Sequence, residues 1–262
     1  MLKKRQILDT NREKHYNNIV YDLTERRISF LIEVKSITKS IADKTVADNV
    51  SFKLTNGSFY GIFDTAQPNG GALPALLAGA ILPDSGFVRI NGFDTRTQRE
   101  RSRACLGYRP ISLEPYDELT PEEFLIFIAE ARGLEYEDGM RTVHELLDLH
   151  ALRGRKRSLC RHLTKAEKCR LSLAQAFVGN PEILILEDPV SGLGEREKNE
   201  MLDRIEATTD QKTVFYASSD LPLLREICDK IIVLEKGVLI GIFEADDPSL
   251  ATYSSRKEED AT

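Results

Sequence analysis

The sequence has no run of about 18 consecutive apolar residues, the length that a helix needs to cross a bilayer. Charged residues open the chain, but no apolar segment follows them, so we expect no secretory leader. These two absences predict that any association with a membrane depends on a partner protein.

Cysteine and basic charge are also in short supply. The four cysteines have no metal-ligand spacing, which favours free thiols in a reducing cytosol. The 36 basic residues are outnumbered by 42 acidic residues, giving a formal net charge of −6, and this balance argues against a general nucleic-acid-binding protein. The composition therefore predicts a cytoplasmic protein that has no nucleic-acid partner.

The chain has enough apolar residues to build a large core. Its 262 residues are 41% apolar and 30% charged, which suits a soluble globular domain with a subdomain. We predict a polar extension, helical or loose, over residues 1–29, a folded domain over 30–245, and a polar, mobile tail over 246–262. Within the domain, a helical insert at about 113–162 separates two strand-rich parts.

Strand and helix patterns alternate through the predicted domain. Thr120 and Pro121 are followed by two glutamates, which is typical of a helix start. The apolar run 183–186 suits a parallel strand that is covered on both faces. Strands are predicted at 30–34, 49–54, 58–63, 87–92 (with its turn), 183–186, 213–217 and 230–235. Helices are predicted at 73–82, from 121 onward, and at 139–150, 165–178, 195–207 and 221–229.

Three segments carry a resemblance to a known family. They are LLAGAILPDSGFVRINGFD (76–94), YDELTPEEFLIFIAEARGL (116–134) and LSLAQAFVGNPEILILEDPVSGL (171–193). In order and separation they resemble an ABC ATPase domain over residues 32–243, and the middle segment looks most like the export branch. The resemblance implies an α/β fold with a RecA-like P-loop NTPase core, an antiparallel β edge and a helical insert lobe. Such domains work in pairs, with ATP held between one phosphate loop and the partner's signature helix.

The phosphate loop of that family reads G-x-x-x-x-G-K-[ST]. Its backbone N–H groups and lysine hold phosphate oxygens, and its hydroxyl holds magnesium. Here the aligned loop reads DTAQPNGG, so Gly70 replaces the lysine and Gly71 replaces the hydroxyl. Pro68 removes an N–H group, although the two glycines leave an anion nest as an open alternative. The candidate nucleotide-binding residues are Asp64, Thr65, Asn69, Gly70, Gly71 and Ala72.

Other positions depart from the family pattern in the same direction. The resemblance places Ile41 at the adenine-stacking aromatic, Ile111 at the magnesium-binding glutamine, Gly194 at the aspartate after SGL, and Ser219 at the switch histidine. The signature LSGGQ becomes Leu163, Thr164, Lys165, Ala166 and Glu167. Lys165 allows two interpretations: a solvated lysine, or one that reaches a partner's phosphate.

A pair of carboxylates survives in reversed order. The family has Asp then Glu, for magnesium and for the attacking water, and this chain has Glu187 then Asp188. These are the catalytic candidates if the chain is active, but each carboxylate is displaced by about one methylene. A shift near 1 Å costs about a hundredfold in rate. The alternative interpretation is an acid pair at the end of a strand that has no catalytic role.

The joint losses predict weak or absent binding of ATP and magnesium, which are implied only by the resemblance. Losing the lysine, the hydroxyl and the stacking ring removes about 4–9 kcal/mol as an upper guide, or three to six orders of magnitude in affinity. We therefore predict a non-hydrolysing subunit on the inner face of the cytoplasmic membrane, bound to a permease or to an intact ABC ATPase, with a homodimer as another possibility. The alternatives are a divergent active ATPase that energises export, and a soluble scaffold unrelated to transport.

Two further features have alternative interpretations. Phe124, Phe127 and Ile128 favour core packing of the insert, or else contact with a membrane subunit. The basic run 153–157 is typical of a solvated loop, or else contacts a phosphate or an anionic lipid.

Overall fold

The computed structural model describes residues 31–112, 114–209 and 211–253. The extension predicted over residues 1–29 lies outside the described residues. No helix in the described part of the chain is both long and apolar enough to cross a membrane.

One mixed sheet runs through the molecule, in the strand order β5-β4-β1-β2-β10-β9-β3-β8-β7-β6. The strands are β1 Ile32–Ile41, β2 Lys44–Leu54, β3 Phe59–Asp64, β4 Ser85–Ile90, β5 Phe93–Asp94, β6 Leu106–Arg109, β7 Ile183–Glu187, β8 Thr213–Ala217, β9 Lys230–Glu235 and β10 Val238–Glu244. The helices are α1 Leu73–Leu77, α2 Arg99–Ala104, α3 Pro121–Ala131, α4 Tyr136–Leu149, α5 Lys165–Phe177, α6 Glu195–Thr208 and α7 Leu221–Ile227.

The centre of the sheet is parallel and buried. Strand β3 pairs in parallel with β8 and β9, and β7 pairs in parallel with β6 and β8. Residues 183–186 and 214–217 are fully buried, as expected of parallel strands with packed layers on both faces. On the other side, β1, β2, β4 and β5 pair antiparallel. The predicted α/β core with an antiparallel edge is therefore confirmed.

The helical insert starts as its sequence predicts. The Thr120 hydroxyl accepts the N–H of Glu123, while the Glu123 carboxylate accepts the N–H of Thr120, which is a capping box before Pro121. Phe124 is buried in the core, whereas Phe127 is 50% exposed. Phe124 therefore agrees with core packing of the insert, whereas Phe127 is accessible for contact with a membrane subunit.

Several predicted elements need correction. The helix predicted at 73–82 ends at Leu77, because Gly79 adopts a positive φ of 63° that a helix cannot contain. The first strand extends to Ile41 rather than ending at residue 34, with a register shift after Val34. The sequence analysis predicted neither α2, β6 nor β10. Leu250, which lies within the segment predicted as a polar tail, is fully buried.

Candidate nucleotide site

The candidate loop follows β3 and leads through a short 3-10 turn, Pro68–Gly70, into α1. Strands β3, β7 and β8 are parallel neighbours, so their carboxyl ends bring the loop, Glu187 and Ser219 to the same edge of the sheet. This edge is where ligands bind in open α/β sheets.

Asp64 ends β3 and is 1% exposed. Its Oδ1 accepts the backbone N–H groups of Ala66 at 2.9 Å and Gln67 at 3.1 Å. Its Oδ2 accepts the Gln67 side-chain amide at 3.2 Å and the backbone N–H of Gly237 at 3.1 Å. The carboxylate therefore takes up N–H groups of the loop that would otherwise face a bound anion.

The second half of the loop is also bonded within the protein. The N–H of Asn69 donates to the Ser219 hydroxyl at 3.0 Å, and the N–H of Gly71 donates to the Pro68 carbonyl at 3.0 Å. Residues 69–71 all have positive φ, whereas the residues of an anion nest alternate between right-handed and left-handed conformations. The N–H groups of Asn69 and Gly71 already have protein acceptors, so an anion bound at residues 69–71 would lose two of its three backbone donors.

The two glycines have little room for side chains. A Cβ added to Gly70, whose φ is 72°, would lie 2.5 Å from Ile62 Cγ2. A Cβ added to Gly71, whose φ is 64°, would lie 3.2 Å from Gln67 Cδ and 3.3 Å from Asp64 Oδ2. The side chains of Gln67 and Asp64 thus fill the space beside Gly71. These residues do not fit a magnesium nucleotide, because glycines replace the lysine and the hydroxyl and the N–H groups of Ala66, Gln67 and Asn69 already have protein acceptors.

Glu187 uses both carboxylate oxygens within the chain. Oε1 accepts the phenol of Tyr108, and Oε2 accepts the N–H of Ile111 at 3.0 Å. Burial and the hydrogen bond to Glu187 raise the pKa of the Tyr108 phenol, so the phenol keeps its proton as donor. The guanidinium of Arg109 donates to the Glu187 carbonyl. The Glu187 carboxylate thus links the end of β7 by hydrogen bonds to β6 and to the segment that follows it.

Asp188 differs from its neighbour in having an open side. Its backbone has a φ of 39°, and its N–H donates to the Ala217 carbonyl at 2.8 Å. Burial raises the pKa of the Asp188 carboxyl, and the positive charge of Arg109 opposes that shift. Asp188 borders a cavity of about 370 Å³. The polar residues lining it include Asp188, Ser191, Glu195, Lys198, Ser219 and Asp220.

The signature residues form a stable helix start. Thr164 caps α5 by accepting the N–H of Glu167, and the Glu167 carboxylate accepts the N–H of Thr164 at 2.8 Å. Arg155 donates to both Glu167 oxygens, at 2.9 and 3.3 Å. Lys165 is exposed, and a Cβ built on Gly192 would overlap its ammonium, so the lysine lies against its own chain.

The remaining candidate residues are scattered. Ile41 is 47% exposed and Ile111 is 42% exposed. Gly194 is the N-cap of α6, and its N–H reaches Glu197 at 3.4 Å. The buried or half-buried candidates are Thr65, Ala72, Leu163 and Ala166.

Sequence reasoning missed Gln67 and Tyr108, which hold Asp64 and Glu187. One signal was available for the first: an aspartate before a turn accepts N–H groups two and three residues later. No signal was available for Tyr108, because its contact depends on the pairing of β6 with β7.

The parallel core, the loop after β3 and the acid pair after β7 define a P-loop-type ATP-binding domain. The family model described as ABC transporter matches residues 47–191. This chain is 24% identical over 213 residues to the linearmycin resistance ATP-binding protein LnrL of Bacillus subtilis, covering 81% of this chain and 68% of that protein. It is 24% identical to the Nod factor export ATP-binding protein I of Rhizobium etli, covering 81% and 68%.

Solved structures share the fold. An ATP-binding subunit of an ABC transporter superposes with a TM-score of 0.72 at 24% identity, covering 87% of this chain and 99% of that one. The cbiO1 protein of Clostridium perfringens, part of the ABC transporter complex cbiONQ, gives 0.70 at 18% identity, covering 87% and 94%. The chain belongs to the ABC transporter family, as an ATP-binding-domain member.

Proposed function

We propose that this chain is a non-hydrolysing structural or regulatory subunit of a membrane ABC transport complex. The observation that carries the proposal is the buried Asp64 carboxylate, which is hydrogen-bonded to the loop that would hold phosphates. The relatives' names, which refer to resistance and export, support a place in export.

The loop geometry supports weak nucleotide binding. A phosphate would have to displace a carboxylate that accepts four hydrogen bonds, and each bond to a charged group contributes about 1.5–3 kcal/mol. The carboxylate and the phosphate also repel each other, since both are anions. These costs add to the loss of the lysine and the hydroxyl at Gly70 and Gly71.

The acid pair supports the absence of hydrolysis. Each carboxylate oxygen of Glu187 already accepts a hydrogen bond, Oε1 from Tyr108 and Oε2 from Ile111, so a magnesium water would have to compete with both donors. Asp188, whose pKa is raised by burial and which borders the open cavity, is suited to accept a proton, and it supports the alternative of a divergent ATPase. The phosphate-loop positions that hold phosphate and metal in the family are Gly70 and Gly71 here, so they supply neither a lysine nor a hydroxyl to place a substrate beside that proton acceptor.

Docking to a permease is assigned to the helical insert. Tyr116 is 60% exposed and Phe127 is 50% exposed. Their ring centroids lie 6.3 Å apart in an edge-to-face arrangement. Exposed aromatic pairs are typical anchors of protein interfaces. This aromatic pair is the surface that we assign to the membrane subunit, on the cytoplasmic side.

Titration calorimetry with Mg-ATP tests the nucleotide half of the proposal. We expect a dissociation constant of about millimolar or weaker, from the losses estimated above. Phosphate release should be at background both in the parent and in Glu187→Gln/Asp188→Asn. Micromolar binding, or turnover that the double variant abolishes, would establish the divergent ATPase instead.

Affinity purification from native membranes tests the docking half. A permease or an intact ABC ATPase should be recovered with the parent and lost with Tyr116→Asp/Phe127→Asp. Tyr136→Asp is the matched control, because Tyr136 is 65% exposed on α4 and should leave the partner bound. Recovery of the parent without either partner would favour the soluble scaffold.

A further inference from the structure

The segment 95–104 carries a concentration of positive charge that the proposed function does not use. It contains four arginines and one glutamate in a chain whose net charge is −6. All four arginines are exposed, at the turn before α2 and along α2 itself. They are Arg96, Arg99, Arg101 and Arg103, and we call them the arginine patch.

Three members of the arginine patch converge. The guanidinium of Arg96 donates to the Pro83 carbonyl, and that of Arg103 donates to the Gly79 carbonyl at 3.3 Å, so both reach the connection between α1 and β4. Arg99 lies one turn before Arg103 on α2, and its charge contributes, after burial, to lowering the pKa of Arg103. Three like charges are thus held together at the surface.

The patch lacks neutralising partners. Among residues 31–112, 114–209 and 211–253, no salt bridge joins any of its four arginines to a carboxylate. The hydrogen bond from Lys39, and to a smaller extent the charge of Arg96, lower the pKa of Asp84, and this carboxylate is already paired with Lys39 at 2.7 Å. Arg101 lies over the Phe93 ring, 5.8 Å from its centroid, which leaves its charge uncompensated.

The other basic run of the chain shows the contrast. In the segment 153–157, Arg153 pairs with Asp148 at 2.9 Å, Arg155 with Glu167 at 2.9 Å, and Lys156 with Glu122 at 3.2 Å. The sequence analysis offered this run as a possible contact for a phosphate or an anionic lipid. In the structure, three of its basic side chains form ion pairs within the protein. Within the part of the chain that the structure describes, the arginine patch keeps more of its charge available than this run does.

We infer that the arginine patch binds the anionic phospholipid headgroups of a membrane surface. A protein partner needs apolar or aromatic anchors in its interface core, and residues 95–104 contain no Leu, Ile, Val, Met or aromatic side chain. A headgroup layer needs only accessible charge, and each basic side chain near it strengthens binding. The overall acidity of the chain disfavours nucleic acid.

The binding is electrostatic and does not insert the chain into the bilayer. Thr95 and Ser102 are buried at 2% exposure, so this segment turns small polar side chains inward and arginines outward. The inference draws on the proposed place beside a permease, but it adds a direct contact with lipid, where the sequence predicted contact only through a partner. Salt should weaken the contact, because exposed charges are screened.

Co-sedimentation of the purified full chain with vesicles tests the inference. The vesicles contain no permease, and one set is phosphatidylcholine while the other has a third of it replaced by phosphatidylserine. We expect binding only to the anionic set, and about thirtyfold weaker binding for Arg99→Gln/Arg103→Gln. Arg99→Lys/Arg103→Lys should bind like the parent, which shows that charge and not a folding defect is measured.

The control variant is Arg153→Gln/Arg157→Gln, which removes the same charge from the other basic run and should change binding by less than about twofold. Equal loss in both glutamine variants would overturn the assignment to the patch. Binding to both vesicle sets, to neither, or more tightly to duplex DNA than to vesicles would overturn the assignment to lipid. None of these outcomes depends on nucleotide binding, so the proposed function can fail or stand separately.

Discussion

Replacing Asp64 by alanine is the sharpest test of how the phosphate loop is held. The substitution removes four hydrogen bonds made by a side chain that is 1% exposed. Three backbone N–H groups and one amide lose their acceptor, and each buried donor left unsatisfied costs about 1–3 kcal/mol. Because water can enter a surface loop, we expect the lower part of that range, about 4 kcal/mol in total.

The assay is urea unfolding of the parent and of Asp64→Ala, followed by far-UV circular dichroism. The control is Asp94→Ala, since Asp94 also accepts two N–H groups of a turn, at 2.9 and 3.0 Å, but lies partly exposed. It should lose about 1 kcal/mol. Inorganic tripolyphosphate should protect Asp64→Ala more than the parent, because the freed N–H groups become available to an anion. Equal losses at the two positions, or equal protection, would refute the reasoning.

Two further predictions concern stability. Gly70→Lys/Gly71→Ser should destabilise the fold by about 2–4 kcal/mol, because both residues have positive φ and little space, and calorimetry should show no micromolar Mg-ATP binding. His150 is fully buried, and burial together with the charges of Arg204 and Arg170 lowers its pKa to about 3. Between pH 3 and 6.5 the unfolded chain binds this proton and the folded chain does not, so the free energy of unfolding decreases as the pH is lowered. We expect a loss of about 2 kcal/mol between pH 7.5 and pH 5. In urea unfolding at the two pH values, His150→Phe should show a smaller loss than the parent.

Much of the fold is visible in the sequence, because buried parallel strands and capped helices leave local patterns. Strands β8 and β9 have the predicted bounds, and Thr120 caps its helix as expected. The elements that were missed, α2, β6 and β10, are short or half-exposed, so their apolar patterns are weak. Helix α1 was overextended, since its apolar residues continue beyond the glycine turn at Gly79 that ends it.

The sequence predicted which positions belong to the candidate site, but it did not predict the hydrogen bonds between them. The sequence identified Asp64, Asn69 and Ser219 as separate departures from a family pattern. The structure joins Asn69 to Ser219 across 150 residues and joins Asp64 to Gly237 across 173 residues. No local pattern encodes such pairs, because they depend on how parallel strands line up their carboxyl ends.

The bond between Asn69 and Ser219 has a consequence for evolutionary history. Residues in direct contact change stability non-additively, so the effect of altering one depends on the other. A descendant that regained a histidine at Ser219 while keeping Asn69 would lose the acceptor of that N–H before gaining any compensating function. The same holds for Asp64 and its partner Gln67. A substitution at Ser219 alone is therefore expected to cost stability that a second substitution at Asn69 recovers in part.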